Sequence, residues 1–138
     1  MRIMAIDYGT RKIGLAFSDP LRSFVSRTTT LTYKSENKVI AEITEIIKTE
    51  EVSLIILGYP LNQDGSEGEM TEKVNTFQQK IKNQLEIEII LSDERYTSEM
   101  AENYLHQQGK KIKGHKEKID AISAAIILDD YLRESGKI

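Results

Sequence analysis

The chain contains no cysteine. That excludes disulfides, a thiolate zinc site and a cysteine nucleophile, and it fits a reducing compartment. No apolar stretch approaches the roughly 20 residues of a membrane helix. No basic segment followed by a long apolar run opens the chain, so no signal peptide is expected and the expected compartment is cytoplasmic. Histidine is scarce, with two residues, His106 and His115, far apart in sequence. Each reads as a surface residue and not as a ligand. There are no internal repeats and no low-complexity linker. Nor is there an excess of positive charge: the formal net charge is −3, which argues against a protein that binds nucleic acid over its whole surface.

What remains is an ordinary soluble composition. The 138 residues are 39 % hydrophobic and 30 % charged, suiting one domain, 1–138, with a single core. The basic residues are unevenly spread. Five of the 19 lie within residues 109–118, as Lys110, Lys111, Lys113, Lys116 and Lys118. Without context such a run is a solvated loop; beside a site for an anion it is a phosphate grip.

The first strand organises the reading. Arg2 to Asp7 is apolar until it meets a carboxylate, which is costly to keep ionised near a core unless a cation or donor pairs with it. Gly9 suits a tight reversal, and Lys12 to Asp19 forms an antiparallel second strand that ends before Pro20. Leu21 to Ser26 reads as a connection. Arg27 to Tyr33, rich in threonine, reads as a third strand at an edge. From Ser35, a candidate cap, the period changes: Val39, Ile40, Ile43, Ile46 and Ile47 mark a helix ending near Glu51. Val52 to Leu57 is a continuous apolar run typical of a parallel strand buried on both faces. Leu61 to Glu69 reads as a loop. Met70, Val74, Phe77, Ile81 and Leu85 mark a second helix, and Ile87 to Leu91 a fifth strand. Met100, Ala101, Tyr104 and Leu105 mark a third helix, and Lys116 to Leu132 the last.

The order βββ-α-β-α-β-α-α is an α/β fold. A meander followed by two βα units predicts a five-stranded mixed sheet of order 3-2-1-4-5, strand two antiparallel, with helices on both faces. Ligands in such sheets gather where parallel strands end. Asp7, Gly58-Tyr59-Pro60 and Asp93-Glu94-Arg95 all end parallel strands. In the last helix Asp120 shares a face with Ala124, Ile127 and Tyr131, flanked by Ile119, Ile122, Ile126 and Leu132, while Asp129 and Asp130 face water. Asp120 is either a structural acid favoured by the helix dipole or a ligand aimed at the rim. Carboxylates from three elements, without cysteine, favour a hard cation, Mg²⁺ or Mn²⁺. Such ions serve phosphodiester hydrolysis, two of them about 3.5–4 Å apart in two-metal sites. Arg11, Lys12, Arg95 and the lysine run would hold the backbone. The loop from Asn62 to Gly68 can offer N–H groups to an anion or be only a loop. Tyr8, Tyr59 and Tyr96 adjoin the rim, with base stacking or core packing as their alternatives.

Four segments together resemble one known family. Asp7-Tyr8-Gly9-Thr10-Arg11-Lys12-Ile13-Gly14-Leu15-Ala16, Gly58-Tyr59-Pro60-Leu61-Asn62 through Gly65-Ser66, Asp93-Glu94-Arg95-Tyr96-Thr97-Ser98 with Ala101, and Lys118-Ile119-Asp120-Ala121 with Ala124-Ala125-Ile126-Ile127-Leu128 look like the ordered motifs of the YqgF (RuvX) family. The resemblance implies an RNase H-like fold. It implies a nuclease, described either as a Holliday junction resolvase or as an enzyme of pre-16S rRNA 5′-end maturation in ribosome biogenesis. Carried over residue by residue, it makes Asp7, Glu94 and Asp120 the catalytic and metal-holding acids, with Asp93 as a fourth candidate. Arg11-Lys12 departs from the family's more usual order, and Tyr59 and Gln63 stand where apolar residues are frequent.

Expected partners are precursor rRNA first, branched DNA as the alternative, and ribosomal particles; no membrane; a monomer in preference to a dimer. Two other readings stay open. One is a nucleic-acid-binding module without turnover. The other is ATP-dependent phosphotransfer, because Asp-x-Gly-Thr also opens the phosphate hairpin of actin-like and sugar-kinase ATPases; those need two lobes, and this chain supplies one.

Overall fold

The computed structural model describes residues 1–9, 11–59, 68–93 and 116–135, the side chains of 116–120 and 135 excepted. The elements are β1 (Arg2–Tyr8), β2 (Lys12–Ser18), β3 (Val25–Thr32), α1 (Glu36–Thr49), β4 (Val52–Tyr59), α2 (Glu69–Gln84), β5 (Glu88–Asp93) and α3 (Lys116–Ser135). The helix expected around Met100 to Leu105 and most of the loop from Leu61 lie outside the described residues.

The strands form one sheet of order β3-β2-β1-β4-β5. β2 is antiparallel to both β1 and β3, while β1, β4 and β5 are parallel. This is the expected topology, and it follows from two short reversals and two helical crossovers. Pleating sends alternate residues to opposite faces. On one face Met4, Ile6, Ile13, Leu15, Phe17, Ile55 and Leu57 pack with Val39, Ile40, Ile43 and Ile47 of α1 and with Val74, Phe77 and Ile81 of α2. On the other, Ile3, Ala5, Ala16, Leu54 and Ile56 pack with Ala124, Ile127, Leu128 and Leu132 of α3. The small pair Ala5 and Ala16, directly opposite each other, lets α3 lie close to the sheet. Burial of each Ile, Leu or Phe contributes roughly 1.5–3 kcal/mol.

Local chemistry sets the helix ends. Ser35 Oγ accepts from Lys38 N at 3.3 Å, capping α1 as expected. At α2, Thr71 Oγ1 accepts from Gly68 N at 2.8 Å and donates back to the Gly68 carbonyl. That reciprocal pairing starts the helix at Glu69, within the stretch read as loop.

The strand limits differ from expectation most in β3, β4 and β5. β3 begins at Val25, two residues early, because an irregularity between Phe17 and Ser18 sets Val25 opposite Ser18. β4 runs on to Tyr59, and so offers Gly58 and Tyr59 as partners to Ser92 and Asp93. β5 therefore lies further along the chain than the apolar run suggested. On α3, Leu132 belongs to the core instead of its flank, whereas Ile122 and Ile126 line a groove with Val25.

Asp19 was read only as the end of a strand, yet it organises the β2–β3 connection. Its carboxylate accepts from the backbone N–H groups of Leu21 at 3.1 Å, Ser23 at 2.6 Å and Phe24 at 2.9 Å. Burial alone would raise its pKa; the backbone donors outweigh that and hold it below the ordinary Asp value.

Gly9 stands where the β1–β2 hairpin turns. A Cβ there would approach the Lys12 carbonyl oxygen to 2.3 Å, which only a shift of backbone could relieve. Gly9→Ala is expected to destabilise the fold by about 1–3 kcal/mol, seen as a lower urea midpoint at unchanged slope.

Beside it, Tyr8 is buried, edge-on to Tyr33 with ring centroids 6.1 Å apart and tilted against Phe77 at 4.6 Å. Burial, and then the hydrogen bond to Tyr33, push its phenol pKa well above the ordinary value of 10.0. The native state thus keeps a proton that the unfolded chain releases near pH 10. The associated stability is complete below that pH and is lost as pH rises through the raised pKa. Tyr8→Phe should flatten the alkaline limb of a stability–pH profile measured by urea denaturation; an unchanged limb would contradict this assignment.

Candidate active site

β1, β4 and β5 run parallel and end on one rim. Ile6 is level with Leu57, Leu57 with Leu91, and Gly58 with Ser92. Asp7 follows Ile6, and so stands at the level of Gly58 on one side. On the other it is paired with Gly14 of β2.

Alternation decides which way these residues face. Ile3 and Ala5 pack toward α3, whereas Met4, Ile6 and Tyr8 pack toward α1 and α2. Asp7 thus belongs to the α3 face. By the same count Gly14 shares a face with Ala16, and Gly58 with Ile56. Neither neighbouring strand therefore places a side chain beside the carboxylate. Asp7 is half-buried between two buried glycines. At this level of the sheet the carboxylate is flanked by the backbone of glycines on both neighbouring strands. Sequence reading treated Gly14 as part of a motif and Gly58 as a strand terminator. The parity of the strands was the signal for their shared role, but it becomes usable only once the register is known.

Asp93 is exposed and ends β5. It has the parity of Ile89, which packs toward α1 and α2, and not that of Ile90, which packs toward α3. Asp93 and Asp7 therefore belong to opposite faces of the sheet. Glu94 and Arg95 come next in the chain and lie outside the described residues, as do Lys110, Lys111 and Lys113. Asp120 and Lys116 fall in the first turns of α3, but their side chains are not described. Asp120 is one helical turn ahead of Ala124, whose side chain packs against the Asp7 face of the sheet. Among the described residues no three His, Asp or Glu groups come together as metal ligands; two of the three expected acids are outside that set.

Of the basic residues expected here, Arg11 is exposed, and its carbonyl accepts from Tyr33 N at 2.8 Å. Lys12 is half-buried, and its Nζ donates to Thr32 Oγ1 at 3.0 Å. Of the tyrosines, Tyr8 is a core residue. Tyr59 is half-buried, and its hydroxyl accepts from Asn75 Nδ2 at 3.1 Å. Both pack in the α1/α2 layer, on the opposite face from Asp7, which removes them as base-stacking platforms beside it. Tyr96, His106 and His115 lie outside the described residues. Asp129 is half-buried and paired with Arg133 at 2.8 Å, and Asp130 is exposed, in keeping with the expectation that this end faces water. No helix among the described residues is long and apolar enough to cross a membrane.

Comparison with known proteins bears on these features. A family model described as RuvX, Holliday junction resolvase, matches residues 1–134. A protein of Sulfurihydrogenibium sp. (strain YO3AOP1) is 42 % identical over 133 residues, covering 95 % of this chain and 89 % of the relative. One from Endomicrobium trichonymphae is 44 % identical over 135 residues, covering 95 % and 94 %. Both carry the provisional name pre-16S rRNA nuclease. Among solved structures, fowlpox virus resolvase bound to Holliday junction DNA aligns with a TM-score of 0.64 at 13 % identity, covering 99 % of this chain and 100 % of that one. RuvC from T. thermophilus, also with a Holliday junction, aligns at 0.61 and 12 %, covering 99 % and 96 %. At such identities these structures show a shared RNase H-like fold and nothing more.

Proposed function

The chain belongs to the RuvX family of nucleases, hence hydrolases, and from that membership we propose that it is a divalent-metal-dependent endonuclease acting on the 5′ end of precursor 16S rRNA. Asp7, Glu94 and Asp120 are its acidic triad. The observation that carries this reading is the placement of Asp7. It stands on the rim of the parallel strands, between two glycines, on the face that α3 covers. Glu94 directly follows β5 in the chain. Asp120 opens the helix that covers it. The parity of Asp93 counts against it as a fourth ligand.

The donors fit a hard cation. They are carboxylate oxygens, in a chain without cysteine, which suits Mg²⁺ or Mn²⁺ and not zinc. When bound, such an ion supplies positive charge at a phosphoryl oxygen and lowers the pKa of water. Asp7, Glu94 and Asp120 would hold it. Arg11, Lys12, Arg95 and the lysines Lys110, Lys111, Lys113 and Lys116 supply the charge that holds the polyanionic backbone. The enzyme works in the cytoplasm, on RNA free or in ribosomal particles, as a monomer.

The resolvase reading has the family's own description behind it. Resolution of a four-way junction needs two symmetric incisions and hence a two-fold dimer, so the two readings separate by substrate and by oligomeric state.

The test is cleavage of a 5′-extended 16S precursor fragment and of a four-way DNA junction, with Mg²⁺ or Mn²⁺ and with EDTA. Cleavage of the RNA that EDTA abolishes is expected. Asp7→Asn should lose on the order of a hundredfold or more, since charge stabilisation at phosphoryl oxygens is worth several kcal/mol. Equal cleavage by both proteins would remove Asp7 from the site. Cleavage of the junction alone would assign the resolvase activity instead.

A further inference from the structure

β3 was read as an edge strand whose threonines merely suit a pleated, exposed backbone. Its register with β2 gives those threonines a second property. Lys12 is opposite Thr32, and Gly14 is opposite Thr30. Residues opposite each other share a face, so Thr30 and Thr32 lie on the face of Gly14 and Ala16, which is also the face of Asp7. Leu31, between them, packs toward α1 and α2. Asp7, Gly14 and Thr30 thus form one row across β1, β2 and β3. Lys12 and Thr32 form the next row outward, two residues nearer the hairpin tip.

The chemistry of that outer row is specific. Lys12 Nζ donates to Thr32 Oγ1 at 3.0 Å. The hydroxyl oxygen thereby accepts from a cation, and its own proton remains available to a further acceptor. A lysine charge and a polarised hydroxyl side by side present donors to an anion. Thr30, half-buried, adds another hydroxyl closer to the carboxylate, and Thr32 is exposed. The opposite face of β3 is committed otherwise: Arg27 pairs with Glu50 and lies over the Phe17 ring at 4.6 Å. Among the described residues, Asp129 and Asp130 line a groove with Val25, at the other end of β3. The end of β3 nearest Asp7 is therefore the one rich in donors.

We infer that Thr32 and Thr30, together with Lys12, form a track for the sugar-phosphate backbone, leading the substrate strand away from Asp7 toward the β3 edge. This rests on the nuclease reading above. The threonines are positioning residues: they hold phosphate oxygens of the flanking nucleotides and take no part in bond cleavage.

The test uses Thr32→Val, Thr30→Val and the double variant, because valine keeps the β-branched shape and removes only the hydroxyl. Thr32→Ser restores the hydroxyl, and Thr29→Val, on the other face of the same strand, is the control. With the 5′-extended precursor fragment as probe, each valine variant on the track should raise KM roughly ten- to a hundredfold, the range one hydrogen bond to a charged group supplies. The kcat should hold, as for loss of uniform binding. Thr32→Ser and Thr29→Val should match the parent chain, and melting temperatures should agree across the set. In binding measured against salt, Lys12→Gln should reduce the slope by about one, and the valine variants should weaken binding without changing the slope. An unchanged KM in the double variant, with RNA cleavage intact in the parent, overturns the track and leaves the nuclease reading standing. Absence of both cleavage and salt-dependent binding in the parent chain overturns both.

Discussion

Strand β1 is hydrogen-bonded along both edges, to β2 and to β4, and the rest of the molecule takes its position from that. A strand paired on both sides cannot slip by one residue without turning its whole apolar set inside out. Met4 and Ile6 are committed to the α1/α2 layer, and Ile3 and Ala5 to the α3 layer. Asp7 is therefore delivered to the α3 face at the rim, by the burial of the residues before it. No interaction of the carboxylate itself is needed to aim it.

The same constraint explains the company Asp7 keeps. Its strand neighbours at that level, Gly14 and Gly58, are places where a side chain would compete with whatever meets the carboxylate. One residue further, Tyr8 turns back into the opposite layer, closing the core against Tyr33 and Phe77. Gly9 then lets the chain reverse against the Lys12 carbonyl. Four successive residues, Ile6 to Gly9, thus alternate between holding the core and serving the rim. Core packing and the candidate site share one hairpin, so changes to the one and changes to the other cannot be wholly separated.

Much of this was legible in the sequence. The helical period from Val39 to Ile47, the cap at Ser35 and the unbroken apolar run of β4 are local signals with one physical reading each, and the sheet order followed from chain connectivity and crossover handedness. What was not legible depended on partners far along the chain. Nothing local marks Val25 as a strand residue; its pairing with Ser18 does. The length of β5 was hidden because β4 continues through a glycine. Asp19 looked like a residue before a proline, and only three converging N–H groups show what its charge does. Tyr8 and Tyr59 adjoined the rim in sequence, but their parity sends them to the other layer.

The sequence by itself determined which groups a site could draw on, carboxylates and no thiols, and the topology that brings strand ends together, because periodicity and connectivity are properties of neighbours in the chain. Only the tertiary structure decided which face each residue serves. A one-residue change in register inverts every side chain of a strand, and register is set by pairing across the sheet. That is why Asp7 and Asp93, two acids at strand ends, part to opposite faces, and why plain threonines on β3 come to share a face with the carboxylate around which the chain is built.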